Sequence, residues 1–282
     1  LSFFDAILLG IVQGLTEFLP ISSTAHLTLT GKLLGLVDEH HPEQWTAFIA
    51  VLQLGTLLAV LAYFGNEILS IIRSSFREII LERKSFAASS SDTQKGIHIV
   101  VGTIPIVVVG LLFKKIIEGA LTKNLWLIAA NLIFFALVLF FAEKISKRER
   151  TAQHILWRDT LAIGCAQVFA LFPGASRSGV TIAGGLFSGL TREAAAEYSF
   201  LLSVPAVCAS GLLELQQSFL YTHSLLGAEL FVGTVASAVV GYASIKFLLK
   251  FLKTHSNNIF IFYRIAVGMI LLALLYYSFI HA

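Results

Sequence analysis

Apolar residues along this chain come in long unbroken runs rather than in alternation with polar ones. Runs of the length a helix needs to cross a bilayer, about 20 residues, recur, and strand-length alternation is absent, so the pattern predicts membrane-spanning helices rather than a barrel. The runs form two sets. Each half opens with two short segments, continues with three longer ones, and closes on a long apolar helix, near residues 125–142 and 259–280. In the first half the short pair covers about 3–19 and 24–36, with "PISS" between. At 1.5 Å per residue neither piece crosses a hydrocarbon core roughly 30 Å thick. Pro20 lacks a donor and pushes Leu19 out of helical geometry, which ends the first piece. Ser22, Ser23 and Thr24 are good N-cap types for the second. Residues 159–172 and 177–190 repeat the design around "PGAS". A helix–break–helix hairpin that enters and leaves on one side of the membrane is the simplest construction. Non-helical backbone at that depth survives only under a cover of protein or in a wet cavity.

The two sets resemble each other in sequence. "LGIVQGLTEFLPISST" (9–24) parallels "IGCAQVFALFPGASRS" (163–178), matching Gly10 and Gln13 with Gly164 and Gln167, and Pro20 with Pro173 after one deletion. "VGTIPIVVVG" (101–110) parallels "VGTVASAVVG" (232–241). Two matches in the same order argue for duplication. The expected fold is therefore one all-α polytopic membrane domain over residues 1–282. It divides into a first repeat, 1–142, and a second, 159–282, joined by the basic stretch 143–159. With three spans per half, the second repeat must be inverted, giving six spanning helices and two re-entrant hairpins. The charges agree. The loop expected at 65–96 carries Arg73, Arg77, Arg83, Lys84 and Lys95, and the loop expected at 143–158 carries Lys144, Lys147, Arg148, Arg150 and Arg158. Arg192, Lys246, Lys250 and Lys253 fall on the same side, and only Lys32, Lys114, Lys115 and Lys123 on the other. The positive-inside rule makes the rich side cytoplasmic and puts both termini and a loop at 214–227 outside. "SFAASSSDTQ" (85–94) reads as a polar cytoplasmic linker.

Composition narrows the class. Of 282 residues, 56% are hydrophobic and only 13% charged, about half the charged share of a soluble domain; mean hydropathy is +0.82. The net charge of +3 adds little, and no nucleic-acid partner is expected. Cys165 and Cys208 lie in apolar segments without metal-ligand spacing and read as buried structural thiols. The first segment has no basic stretch and no small-residue cleavage site, so it reads as part of the fold rather than a signal peptide, and Leu1 suggests a trimmed terminus.

Against this background the polar residues of the breaks stand out. Glu17 in hydrocarbon costs roughly 2.5–3.5 kcal/mol on insertion scales. It shares a helix face with Gln13 and sits at a helix C-terminus, where the dipole disfavours an anion. It needs a cation, either Arg177 or a bound divalent metal. Hairpins from opposite faces bring their tips together near the midplane, where inverted-repeat proteins build their sites. Ser22, Ser23 and Thr24 on one tip, and Gly174, Ser176 and Ser178 on the other, offer hydroxyls and backbone N–H groups suited to phosphate oxygens. Arg177 adds a planar bidentate fork. Capping alone would explain any one of these serines, and a structural ion pair would explain Glu17 with Arg177. Five hydroxyls beside an arginine favour an anion site. His26 is a candidate base or a packing residue. Gln53, Thr181, Glu197 and Arg264 are polar groups in spans, with interhelical hydrogen bonding the expected role for each and the first three kept as secondary site candidates.

"QGLTEFLPISSTAH" resembles the (E/Q)-x-x-x-E and S-S-T-x-H signatures of the bacitracin-resistance family of undecaprenyl-diphosphate phosphatases, and "PGASRSGVT" that family's P-G-x-S-R-S-x-x-T. The similarity runs along essentially the whole chain, including "EYSFLLSVP" at 197–205. The resemblance implies interlocked re-entrant hairpins in the bacterial inner membrane, and with both termini and the 214–227 loop outside the site should open outward. It implies hydrolysis of undecaprenyl diphosphate to the monophosphate with a divalent cation, Mg²⁺ or Ca²⁺, as cofactor. By motif position Glu17, Ser23, His26 and Arg177 inherit the catalytic assignments, Glu17 as the metal ligand. Gln13, Ser22, Thr24, Gln53, Gly174, Ser176, Ser178 and Thr181 are the wider substrate-binding set. Gln13 stands where many members carry Glu, which weakens any scheme with two carboxylates on the metal. Ser23 is the favoured nucleophile over water, with His26 or Glu17 as its base. The expected partners are the polyprenyl diphosphate and membrane lipid, with a homodimer left open. A polyprenyl-phosphate flippase using the same inverted-repeat site is the main rival reading, and a non-catalytic lipid-binding scaffold the weaker one.

Overall fold

The computed structural model describes residues 2–37, 42–152, 155–221 and 227–280, which are helical, with no strand among them beyond an isolated bridge between Arg150 and Leu190. Two short helices come first, α1 (Phe3–Phe18) and α2 (Ser23–Leu33), then α3 (Pro42–Tyr63), α4 (Gly65–Ser75), α5 (Ser91–Leu112), the short α6 (Lys114–Glu118) and α7 (Leu125–Ile145). A second short pair follows, α8 (Trp157–Val168) and α9 (Arg177–Phe187), then α10 (Arg192–Tyr221), α11 (Ala228–Leu252) and α12 (Asn258–Tyr276). Among the described residues, six helices are long and apolar enough to cross a membrane: α3, α5, α7, α10, α11 and α12. Their outward faces carry exposed Phe231, Val239, Phe262 and Met269. Such faces are stable only against lipid, and the protein is a multi-pass membrane protein.

The two short pairs are built alike. Ser2 and Asp5 form a capping box at the start of α1, and Asp159 accepts from the Leu156 N–H at the start of α8. Ser22 and Ser176 both sit at positive φ, 77° and 71°, and each caps its helix through its own hydroxyl. Both second helices end at a left-handed glycine, Gly35 or Gly189. The packing is crossed: α1 lies against α11 and α8 against α5, while α3 packs on α10 and α7 on α12. Glycine makes the crossings possible. A Cβ on Gly10 would lie 2.2 Å from the Gly233 carbonyl oxygen, and one on Gly164 would lie 2.5 Å from that of Gly102. No side chain fits at either contact.

Several expectations change. The stretch 65–81 is not loop: α4 continues into a π-helical turn, Phe76–Leu81, with Leu69, Ile72, Phe76 and Ile80 exposed beside Arg73 and Arg77. An amphipathic helix with charged residues beside an apolar face suits the headgroup interface, and its charges had masked that face. The tail of the supposed linker, Ser91–Gln94, is the first turn of α5, because Ser90 caps the Thr93 N–H. The supposed loop at 214–227 is helical through Tyr221, and 222–226 lie outside the described residues. Cys165 is exposed on the outer face of α8 and Cys208 is half-buried; neither is the buried thiol expected, because an apolar segment facing lipid has no inside.

Candidate active site

Leu19 is extended, with ψ 137°, so α1 stops just past Glu17 and the chain turns through Pro20 into α2. Across from it, α8 ends in a single 3₁₀ turn, Phe169–Leu171, before Pro173. The two breaks meet. The Ser178 hydroxyl donates to the Leu19 carbonyl at 3.1 Å. Behind them the guanidinium of Arg264, fully buried on α12, donates to the carbonyls of Gly174 (3.0 Å), Ala175 (2.9 Å) and Pro20 (3.4 Å). Asn131 of α7 holds the Pro173 carbonyl at 2.8 Å. These bonds satisfy carbonyls left open by the helix breaks, which would be costly to bury without partners.

Glu17 is the hub. Its Oε2 accepts from the Ser23 hydroxyl at 2.7 Å and from Gln13 Nε2 at 3.0 Å, and its Oε1 accepts from Arg177 at 2.9 Å. Gln13 is fully buried, and its Oε1 has no hydrogen-bond partner. Arg177 also donates to the Ser199 carbonyl on α10 at 3.3 Å. Ser22 and Ser176, at positive φ without being glycine, hold a backbone form that costs of order 1–3 kcal/mol and tends to persist at functional tips.

The hub closes one end of a cavity of about 350 Å³. Glu17, Ser22, Ser23, Thr24, Gln53, Ser176 and Arg177 line it. Gln53 thus joins the site from α3. The walls beyond are apolar, with Ile49, Ile106, Val107 and Val207 among them, and Lys114 and Lys123 also face the space.

Other expected residues serve the tips rather than the cavity. Gly174 lends its carbonyl to Arg264. Ser178 joins the two breaks, and Thr181 donates to the Arg177 carbonyl at 2.7 Å and pairs with the Ser199 hydroxyl at 2.6 Å. His26 does not line the cavity. Its Nδ1 lies 2.7 Å from the Ser22 carbonyl, which can only accept, so Nδ1 carries the proton; Nε2 then accepts from the Tyr263 hydroxyl at 2.8 Å. Glu197 is also remote, paired with Lys95 at 3.6 Å. Arg264, Asn131, Ser199 and Tyr263 are the supports that motif reasoning missed or undervalued. Three of them act on backbone carbonyls or a single histidine, contacts with no sequence spacing to betray them.

A carboxylate, a hydroxyl at a helix start and a guanidinium, gathered where two broken helices meet beside an apolar cavity, make a polar cluster of the kind that suits an anionic group in a membrane protein. The chain belongs to the family described as bacitracin resistance protein BacA, whose model matches residues 6–270. It is 51% identical to the undecaprenyl-diphosphatase of Syntrophobacter fumaroxidans over 95% of both chains. It is 49% identical to that of Chloroherpeton thalassium over 96% of both, and 47% identical to that of Chlorobium chlorochromatii over 98% of both.

Proposed function

We propose that this protein hydrolyses undecaprenyl diphosphate to undecaprenyl phosphate and inorganic phosphate, recycling the carrier lipid of cell-wall synthesis and conferring bacitracin resistance. The observation that carries the mechanism is the Ser23 hydroxyl donating to Glu17 at 2.7 Å while Arg177 holds the other carboxylate oxygen. The Ser23 oxygen attacks the terminal phosphorus, its proton passes to Glu17, and the bond to the bridging oxygen breaks. Polyprenyl monophosphate leaves with that proton, handed on by Glu17 to its departing oxygen. A water deprotonated by the freed Glu17 carboxylate then attacks the phosphoserine phosphorus, and Glu17 returns the proton to the Ser23 oxygen as inorganic phosphate is released. Arg177 and the N–H groups at the start of α2 take up charge on the transferring group. His26 acts on the Ser22 carbonyl and so orients the tip that carries Ser23.

The donor set suits a hard divalent cation, Mg²⁺ or Ca²⁺. Glu17 offers a carboxylate and Gln13 a buried carbonyl oxygen without a partner. Mg²⁺ is commonly held by one or two carboxylates together with substrate phosphates. When bound, the cation neutralises charge on the diphosphate.

The protein sits in the bacterial inner membrane with the site open to the outer side, and its halves are inverted repeats whose short helix pairs re-enter the membrane. The crossed packing of α1 on α11 and α8 on α5 supports this, as does the shared design of the two tips. Release of inorganic phosphate from undecaprenyl diphosphate by purified protein, abolished by chelator and restored by Mg²⁺ or Ca²⁺, tests the reading. Lipid movement across vesicles without phosphate release would favour the flippase instead.

A further inference from the structure

Tyr263 is out of place on its helix. It stands 42% exposed on α12 beside Ile259, Phe262 and Ile270, which are exposed and apolar. A phenol hydroxyl brought into hydrocarbon is costly unless it is hydrogen-bonded. Here it is bonded: it lies 2.8 Å from His26 Nε2, and the two rings stack at 10° with centroids 5.6 Å apart. The next residue, Arg264, turns inward and holds the carbonyls of Pro20, Gly174 and Ala175. Two successive residues of α12 therefore grip the tips, although neither lines the cavity. The contacts run on to Ser23. His26 Nδ1 donates to the Ser22 carbonyl at 2.7 Å, a shorter bond than the 3.3 Å one from the His26 backbone N–H. The Ser22–Ser23 peptide is planar and trans, so its carbonyl and the Ser23 N–H point in opposite directions. Fixing one aims the other. That N–H opens α2 and forms no hydrogen bond among the described residues, as befits the first turn of a helix.

We infer that Tyr263 is a positioning residue for the reaction: it fixes the proton of His26 on Nδ1 and so sets the Ser22–Ser23 peptide on which attack depends. The inference rests on the proposed phosphatase activity, with Ser23 as nucleophile. The Ser22 carbonyl can only accept, so the ring must present a proton at Nδ1. A neutral ring then has only an acceptor at Nε2, and the phenol supplies its donor. Which ring nitrogen carries the proton is set by the bond the other makes. Without the phenol the proton is free to move to Nε2, and the Ser22 carbonyl loses its shorter bond. The effect falls on the alignment of the Ser23 hydroxyl and N–H with the transferring phosphoryl group. That alignment is a demand of the transition state, separate from the cavity walls that hold the substrate.

Tyr263→Phe keeps the stacked ring and removes only the hydroxyl. Phosphate release from undecaprenyl diphosphate should show kcat lowered about three- to tenfold, the scale of one net hydrogen bond, and KM changed less than about twofold. A double-mutant cycle with His26→Asn separates this from packing. Asn donates to the Ser22 carbonyl without help from Tyr263, so adding Tyr263→Phe to it should change kcat less than about twofold. The ring proton is read without turnover, by nitrogen NMR of protein carrying isotopically labelled histidine. The His26 signals are those absent from His26→Asn. Nδ1 should carry the proton in the unsubstituted protein and share it with Nε2 in Tyr263→Phe. Phe262→Leu, on the exposed neighbour, should change neither kcat nor the signals. An unchanged kcat in Tyr263→Phe, multiplying losses in the cycle, loss of all turnover in His26→Asn, or a proton on Nε2 in the unsubstituted protein would overturn the assignment. Absence of phosphate release by the unsubstituted protein would instead overturn the phosphatase reading, with the NMR signals still deciding whether Tyr263 sets the ring.

Discussion

At the residue scale, three side chains, Gln13, Ser23 and Arg177, meet at Glu17. Glu17→Gln keeps the shape and one acceptor but removes the base and the anion that pairs with Arg177 and cation. Turnover should fall to background, and the remaining phosphate release should no longer respond to Mg²⁺ or Ca²⁺; normal metal dependence would remove Glu17 from the site. Arg177→Lys keeps the charge and loses the fork. A fall in kcat of roughly 10²–10³, the scale of one lost transition-state donor, is expected with little change in thermal stability. His26 permits a sharper separation. If its work is to donate from Nδ1 to the Ser22 carbonyl, Asn can replace that donor and Gln, reaching nearer Nε2, cannot. His26→Asn should stay within about tenfold of the parent, one net hydrogen bond being about 0.5–1.5 kcal/mol, and should keep the acid limb of its pH–rate profile. His26→Gln and His26→Ala should lose more. Disappearance of the acid limb in His26→Asn would restore His26 as the base. The pairing of Glu17 with Arg177 was legible in the sequence, because a carboxylate in an apolar run demands a cation. The contacts of His26 were not, since they run to Tyr263 and to a backbone carbonyl.

At the element scale, the alternation of short and long apolar runs was enough to fix two broken pairs and six spans, and Pro20 and Pro173 marked both breaks. What the runs could not tell was which helix touches which. The crossing of α1 on α11 and α8 on α5 follows from backbone contact at Gly10 and Gly164, glycines the sequence offered only as matched letters. Gly10→Ala should force the helices apart, since its Cβ would sit 2.2 Å from the Gly233 carbonyl oxygen. Overpacking of this kind costs about 1–3 kcal/mol. Gly10→Ala should therefore unfold at lower temperature in detergent and lose activity through the tip that α1 carries. An unchanged melting temperature would mean that the crossing yields freely. The amphipathic helix α4 escaped the run-length reading for a different reason. An interfacial helix needs only one apolar face, and alternating charges hid it until the turns were built.

At the scale of the whole molecule, crossed packing and charge placement make one joint demand. If the two halves are inverted, the tips must come from opposite sides, and the chain must put α4 and the 143–158 connector on one face of the membrane and the C-terminal end of α12 on the other. The basic residues concentrate on the first face, where Glu143 binds Arg192 and accepts from Asn257 at 2.9 Å, and Arg150 pairs with Asp159 at 2.6 Å. That network knits the connector to α8, α10 and α12 at a single level, so these ends cannot lie on different sides. Single cysteines test the demand in intact cells, again without Cys165 and Cys208. Ala88 beside α5 and Phe279 beyond α12 are both exposed, and Phe279 is 76% so. A membrane-impermeant maleimide should label Phe279→Cys from outside and reach Ala88→Cys only after permeabilisation. The opposite pattern would turn the protein over, pointing the mouth of the cavity inward and away from diphosphate released at the outer surface. Labelling of both from outside would break the inverted arrangement.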